Sequence, residues 1–250
     1  MKKLSLVIAS LTALVSVPAF AADMAVKARP VPVVAPAPYN WTGFYIGFQS
    51  GGALGDADWS GNGTIPNGSL SHFIGGGIIG GTVGFNYQVA SWVWGIEADY
   101  AAANIRGSIN CPNIVFRCRT EIESFGTVRG RLGYAVGPML FYATGGAAFG
   151  EVDVSAERLP GSTLFPGLEG RGEGNSQWGW TAGTGFEYAP LRSNLTWKIE
   201  WLYFNLDRDR YVIDSVGSVV DVRTTGHLIR TGLNYRFSWA PMAPAVVARY

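Results

Sequence analysis

The chain has 250 residues, a formal net charge of +1, 15% charged residues, 13% aromatic residues and 34 glycines. The near-zero charge leaves no basic field for nucleic acid, and the composition excludes both a disordered chain and a typical helical globule. These values favour an all-β protein that shows much of its apolar surface to something other than water.

The first 21 residues have the layout of a secretory signal peptide. Lys2 and Lys3 precede an apolar stretch, 4–17, that is too short for a spanning helix, and small residues at Ala19 and Ala21 fit a cleavage site. We predict a signal peptide over residues 1–21, with a membrane anchor as the alternative. No later apolar run reaches about 18 residues, so an inner-membrane helical protein is excluded.

Residues 22–39 have the composition of a linker. Four prolines lie among Val and Ala, and such a run favours extended polyproline conformations and cannot join a central strand. We expect this segment either to be mobile or to trail on the periplasmic side.

From residue 41 onward, apolar and polar residues alternate with a period of two, as in β-strands with two different faces. The clearest segment is 92–102, where Trp92 and Trp94 line one face and Glu97 and Asp99 line the other. We predict about eight strands, each long enough to cross a bilayer when tilted. Their approximate spans are 41–54, 74–89, 92–102, 122–134, 139–149, 177–188, 195–203 and 229–237.

The connections between these strands alternate in length. The long ones are 55–73, 105–120, 151–176 and 207–222, and the short ones are 90–91, 135–138 and 189–194. This is the layout of an up-and-down outer-membrane barrel, with long loops outside and short turns in the periplasm. The predicted fold is therefore an all-β, antiparallel, up-and-down transmembrane β-barrel of about eight strands over residues 40–237, followed by a C-terminal tail, 238–250.

A soluble barrel would bury the apolar faces that a membrane barrel turns outward. The interior of an eight-stranded barrel is barely wide enough for its own side chains, so the bulk of six tryptophans points to the lipid-facing side. These tryptophans are Trp92, Trp94, Trp178, Trp180, Trp197 and Trp201.

The opposite, glycine-rich faces carry charges of both signs in near balance. In a narrow lumen they must pair or hold water, because an unpaired buried charge is very costly. Two interpretations remain open, a plug of salt bridges that fixes the barrel register and a constriction that sets ion selectivity. The predicted lumen charge network consists of Glu97, Asp99, Glu123, Arg129, Arg131, Glu187, Lys198, Glu200, Arg230 and Arg236.

Cys111 and Cys118 are the only cysteines. An exported chain meets an oxidising compartment, so we predict a disulfide that closes the short loop between them, with two free thiols as the alternative. No His or further Cys lies nearby, so no metal site is predicted.

Four segments resemble strands of the porin-like outer-membrane immunogenic proteins of alphaproteobacteria. They are 38–47, 127–134 (TVRGRLGY), 142–150 and 232–237 (GLNYRF). The resemblance implies an abundant, surface-exposed, antigenic barrel, and some relatives are described as porins and some as haem-binding. It also implies that Tyr235 and Phe237, in the last strand, carry the signal that the barrel-assembly machinery reads, although here the chain continues to Tyr250.

No catalytic constellation or nucleophile elbow is present, so we predict neither an enzyme nor a cofactor. His72 and His227 are expected to be solvated surface residues, and haem ligation is the alternative that the resemblance raises.

We predict a structural or surface-interaction role with modest passive diffusion. The alternatives are a small porin and a surface binder of haem or a host factor. The expected partners are outer-membrane lipid, the assembly machinery and a surface ligand at the outer loops, and not nucleic acid.

Overall fold

Eight antiparallel strands pair in chain order and close into a barrel, with β1 bonded to both β2 and β8. The computed structural model describes residues 39–62, 68–111, 116–159, 170–190, 193–212 and 219–237. The predicted signal peptide and C-terminal tail, and the predicted linker up to residue 38, lie outside these residues. The strands are β1 (Gly43–Asn62), β2 (Gly68–Val89), β3 (Trp92–Asn110), β4 (Phe116–Val136), β5 (Met139–Arg158), β6 (Gly170–Tyr188), β7 (Leu195–Val212) and β8 (Val219–Phe237).

The predicted fold class is confirmed, including the number of strands and the short turns. β2 and β3 are joined through Ala90 and Ser91, and β4 and β5 through Gly137 and Pro138. Ala90 and Gly137 have positive φ values of 53° and 58°, the left-handed conformation that tight hairpin turns require. Among the residues that the structure describes, no helix has the length and apolar character needed to cross a membrane.

The strands are longer than predicted, with 18 residues in β7 and 22 in β2. A tilted strand needs only about 9–11 residues to cross a bilayer, so each strand continues well beyond the lipid. β1 ends at Asn62 and β3 at Asn110, inside the predicted loops 55–73 and 105–120. Much of each predicted outer loop is therefore strand.

The two ends of the barrel have opposite polarity patterns. In the half next to the short turns, here called the membrane half, apolar side chains such as Trp94 (56% exposed) and Ile96 (67%) face outward. In the other half, the outer half, apolar side chains such as Trp59 and Val222 are buried inside, and Asp58 faces outward. Apolar groups face lipid in the membrane half and avoid water in the outer half.

A bulge in β4 contributes to this change of pattern. The register shifts between Ile122 and Ser124, so that Glu123 and Ser124 lie opposite the single residue Glu151 of β5. Ile122 is consequently buried, and Glu123 is exposed. The prediction that Glu123 faces the lumen is wrong, because the bulge reverses the alternation at this point.

Candidate functional site: the filled lumen

Eight of the ten predicted lumen charges form one connected cluster across the membrane half, here called the charged layer. Every member is at most 5% exposed, and four acidic side chains balance four basic ones. The members are Glu97 and Asp99 on β3, Arg129 and Arg131 on β4, Glu187 on β6, Lys198 and Glu200 on β7, and Arg230 on β8.

Arg129 lies at the centre of the charged layer. Its Nη2 donates to Glu97 and, at 3.0 Å, to Asp99 Oδ2, and its Nη1 donates to Glu200 Oε1 at 3.0 Å. Its Nε donates to Thr127 Oγ1 at 2.8 Å. The guanidinium therefore binds three carboxylates at once, which compensates the cost of burying a charge.

Other members connect opposite walls of the barrel. Lys198 Nζ lies 3.0 and 3.1 Å from the two carboxylate oxygens of Glu97. Arg230 donates from Nη1 and Nη2 to Asp99 at 3.0 and 2.9 Å, and from Nε to Glu200 at 2.7 Å. These contacts join β7 and β8 to β3 across the lumen.

The wall beside these long side chains includes a glycine where they need room. A Cβ at Gly51 on β1 would overlap the backbone of Ile229 and Arg230, so a larger residue does not fit there. Tyr45, on the same strand, donates its hydroxyl to Glu97 Oε2 at 2.7 Å. The charged side chains and inward side chains such as Tyr45 therefore fill the membrane half together.

Arg236 faces inward but lies below the charged layer, at the short-turn end. Its guanidinium carbon lies 4.7 Å from the ring centre of Tyr39 and 5.2 Å from that of Trp41, and its Nη2 donates to the carbonyl of Asn40. Trp41 packs in a small cluster with Val93, Ala135, Leu140, Tyr142 and Ala189, here called the short-turn cluster. The sequence prediction missed the role of Trp41, although this residue continues the inward, odd-numbered alternation of Gln49 just before β1 begins.

Above the charged layer, the outer half is filled by apolar side chains, here called the outer core. Trp59 Nε1 donates to Thr120 Oγ1 at 2.9 Å across the lumen, and the rings of Phe125 and Phe204 lie 5.2 Å apart. The sequence prediction missed this core because it expected loops over much of the outer half and outward-facing apolar side chains in the strands. The members are Ala53, Ala57, Trp59, Ile74, Ile78, Ala101, Ile105, Cys111, Phe116, Cys118, Ile122, Phe125, Ala148, Val152, Val154, Ala156, Leu202, Phe204, Leu206, Tyr211, Val220, Val222 and Leu228.

The structure joins Cys111 and Cys118 by a disulfide within the outer core, with their Cα atoms 5.3 Å apart. The Cys111 N–H also donates to the carbonyl of Phe116 at 2.9 Å. The bond therefore holds the ends of β3 and β4 together.

Replacing both Cys111 and Cys118 by serine should destabilise the outer end of this hairpin by about 2 kcal/mol, because a short cross-linked loop is released. Arg117 and Arg119 face outward beside it, so the measurement is the rate of trypsin cleavage at these sites. Reduced wild type serves as the control and should match the variant. Equal cleavage of oxidised wild type and variant would contradict the prediction.

The two histidines lie on opposite sides of the barrel wall. His72 belongs to β2 and is buried against Trp59, with ring centres 6.0 Å apart, so the prediction of a solvated His72 is wrong. The predicted loop around it is strand, and its face points inward. His227 faces outward and stacks on Trp201 at 5.6 Å. The two rings therefore do not face a common site, and no group of His, Cys, Asp or Glu suited to a metal occurs within the described ranges.

The outer surface of the membrane half is aromatic. The six tryptophans predicted to face lipid are all between 42% and 63% exposed. A closed antiparallel barrel with an apolar, aromatic outer wall and a charged interior is the arrangement of a β-barrel protein of the bacterial outer membrane.

Comparison with known proteins agrees with this class. The family model for the outer membrane protein β-barrel domain matches residues 7–237. The chain is 36% identical over 247 residues to the 31 kDa outer-membrane immunogenic protein of Brucella melitensis, covering 93% of this chain and 99% of that protein. It is 31% identical over 237 residues to the 25 kDa outer-membrane immunogenic protein of Brucella canis, covering 93% and 98%.

Among solved structures, OprG of Pseudomonas aeruginosa matches at 12% identity with a TM-score of 0.48, covering 79% of this chain and 98% of that one.

The chain belongs to the outer-membrane β-barrel family that includes the immunogenic outer-membrane proteins of alphaproteobacteria, and its location is the outer membrane.

Proposed function

We propose that the protein is a closed, non-conducting barrel that anchors a rigid β-structured platform at the cell surface. The observation that carries this proposal is the filled lumen, with the charged layer in the membrane half and the outer core above it.

The charged layer is the first reason to expect that the barrel does not conduct ions. A hydrated ion on its way through would have to displace side chains such as Arg129 and Glu97, which are buried and paired with each other. Breaking a buried pair leaves an uncompensated charge, at a cost of about 3–5 kcal/mol. The apolar side chains above the layer offer a passing ion no replacement ligands, so a second barrier follows the first.

The polarity of the outer half is the reason to expect a platform at the cell surface. Its interior is apolar and its exterior carries charged side chains such as Asp58 and Arg223, so its polarity is that of a barrel in water. It therefore supplies its own stability outside the lipid and holds the hairpin ends at the surface. The names of the relatives, which describe immunogenic outer-membrane proteins, are consistent with surface exposure.

Single-channel recording of the refolded mature protein in a planar bilayer tests the proposal. We expect a silent bilayer from protein whose folding is verified by heat-dependent gel mobility. Reproducible conductance steps whose ion preference changes in Arg131→Gln would instead make the protein a porin. A variant with an exposed charge removed, Arg106→Gln, is the matched control and should behave as wild type does.

A further inference from the structure

Among the residues that the structure describes, Arg236 is the one buried charged side chain without a carboxylate contact. It is 3% exposed, and its single hydrogen bond runs from Nη2 to the carbonyl oxygen of Asn40. Its Nε and Nη1 atoms are buried and have no acceptor. An arginine presents five N–H donors and no acceptor, so these positions can be satisfied only by an acceptor.

Arg236 also leaves the barrel interior with an unbalanced charge. The charged layer is neutral, so within the part of the chain that the structure describes this side chain makes the buried charges five positive against four negative. The rings of Tyr39 and Trp41 stabilise the guanidinium through their π faces, but they do not neutralise it. A buried charge without a counter-charge is strongly unfavourable.

Neighbouring polar groups at the short-turn end are also buried without partners. Trp41 Nε1 can only donate, and it is buried without a partner. The Tyr142 hydroxyl, in the same short-turn cluster, is buried without a partner as well. Arg236 and Trp41 therefore bring unmatched donors and an unmatched positive charge to this end of the barrel, where the one unmatched acceptor on the same face of β8 among the described residues is Asn234 Oδ1.

We propose that a small inorganic monovalent anion of the chloride type binds at the short-turn end, at the edge of the stacked Arg236 and Trp41 side chains. The anion accepts hydrogen bonds from Arg236 and from Trp41 Nε1, and it neutralises the fifth buried cation. A water molecule in the same place accepts hydrogen bonds but leaves the charge in place. The charge balance therefore favours the anion over water.

The test measures the heat stability of the refolded mature protein in a nonionic detergent at constant ionic strength, as sodium chloride replaces sodium gluconate. Because an anion that binds only the folded state stabilises it, the unfolding temperature should rise by several degrees and then saturate. Gluconate is far larger than chloride, so we do not expect it to replace chloride at this position. A flat response in wild type overturns the proposal and leaves water as the occupant.

Three variants locate the effect. Arg236→Gln should abolish the chloride response, and Trp41→Phe, which removes one donor but keeps the charge, should give a response between those of wild type and Arg236→Gln. Arg106→Gln, at a side chain that is 52% exposed, should respond as wild type does. An undiminished chloride response in Arg236→Gln overturns the proposal.

A second measurement does not depend on whether the variants fold. Crystals of the wild-type protein grown in bromide should give an anomalous peak within hydrogen-bonding distance of Arg236 Nη1. Absence of a peak there, with bromide ordered elsewhere or not at all, overturns the proposal.

Discussion

Replacing Arg129 by glutamine should lower the free energy of unfolding of the barrel by about 3–5 kcal/mol. The guanidinium binds Glu97, Asp99 and Glu200, and all three carboxylates are buried in the charged layer. Glutamine cannot supply the positive charge, so the layer would hold one uncompensated negative charge. Few other single substitutions in the membrane half remove so many buried contacts.

The measurement is urea-induced unfolding of the refolded protein in lipid vesicles, followed by tryptophan fluorescence. Arg106→Gln is the matched control because Arg106 pairs with Glu121 at the exposed surface, where an ion pair contributes about 1 kcal/mol or less. The double variant Arg129→Gln, Glu200→Gln should regain part of the loss, since it restores charge balance. Equal stability of Arg129→Gln and Arg106→Gln would show that the charged layer does not stabilise the barrel.

Trp59→Ala should destabilise the protein by about 3–5 kcal/mol, through the loss of a large buried side chain from the outer core. Trp59 is almost completely buried, and its indole N–H donates to Thr120 across the lumen. The loss of stability should be largest in the outer half, because the charged layer below does not depend on this hydrogen bond.

Trp94→Ala provides the same substitution on the opposite side of the wall. Trp94 is 56% exposed and faces lipid in the membrane half, where an alanine methyl group still faces lipid. We expect a loss of about 1 kcal/mol or less at this position. Hydrogen exchange should show faster opening of the outer parts of β1 and β4 in Trp59→Ala only. If the two variants lose the same stability, the polarity reversal between the two halves is refuted.

The sequence was sufficient to predict the strand number, the short turns and the lipid-facing side of the membrane half. Each of these depends on local alternation, as in 92–102, or on turns of two to a few residues. The six exposed tryptophans were identifiable because their bulk does not fit a small lumen.

The outer half was predicted as loops because its pattern is the reverse of the one expected. With apolar residues assumed to face outward, Asp56 and Asp58 in β1 resemble loop residues, whereas they alternate with the buried Ala57 and Trp59. The inward position of His72 was missed for the same reason. The bulge at Glu123 could not be predicted, because a single register shift produces no recognisable pattern in one sequence.

The partners within the charged layer were only partly predictable. Glu97 and Arg129 lie opposite each other on neighbouring strands, so alternation and strand order suggest their contact. The bond from Lys198 to Glu97 joins residues 101 positions apart across the lumen. The tilt of the strands and the lengths of the side chains determine such contacts, and neither can be read from local patterns.

The side chains of the charged layer come from strands that are far apart in the sequence, and this affects how the barrel can be assembled. Asp99 belongs to β3 and its partner Arg230 to β8, which closes the ring against β1. A sheet that has entered the membrane without its last strand lacks this cation and keeps excess negative charge in a water-poor environment. Such a half-inserted species should be high in energy, so we expect closure of the ring and neutralisation of the charged layer to occur together. β8, the last of the eight strands, thus supplies the positive charge of Arg230, which makes insertion of the whole sheet into the membrane favourable.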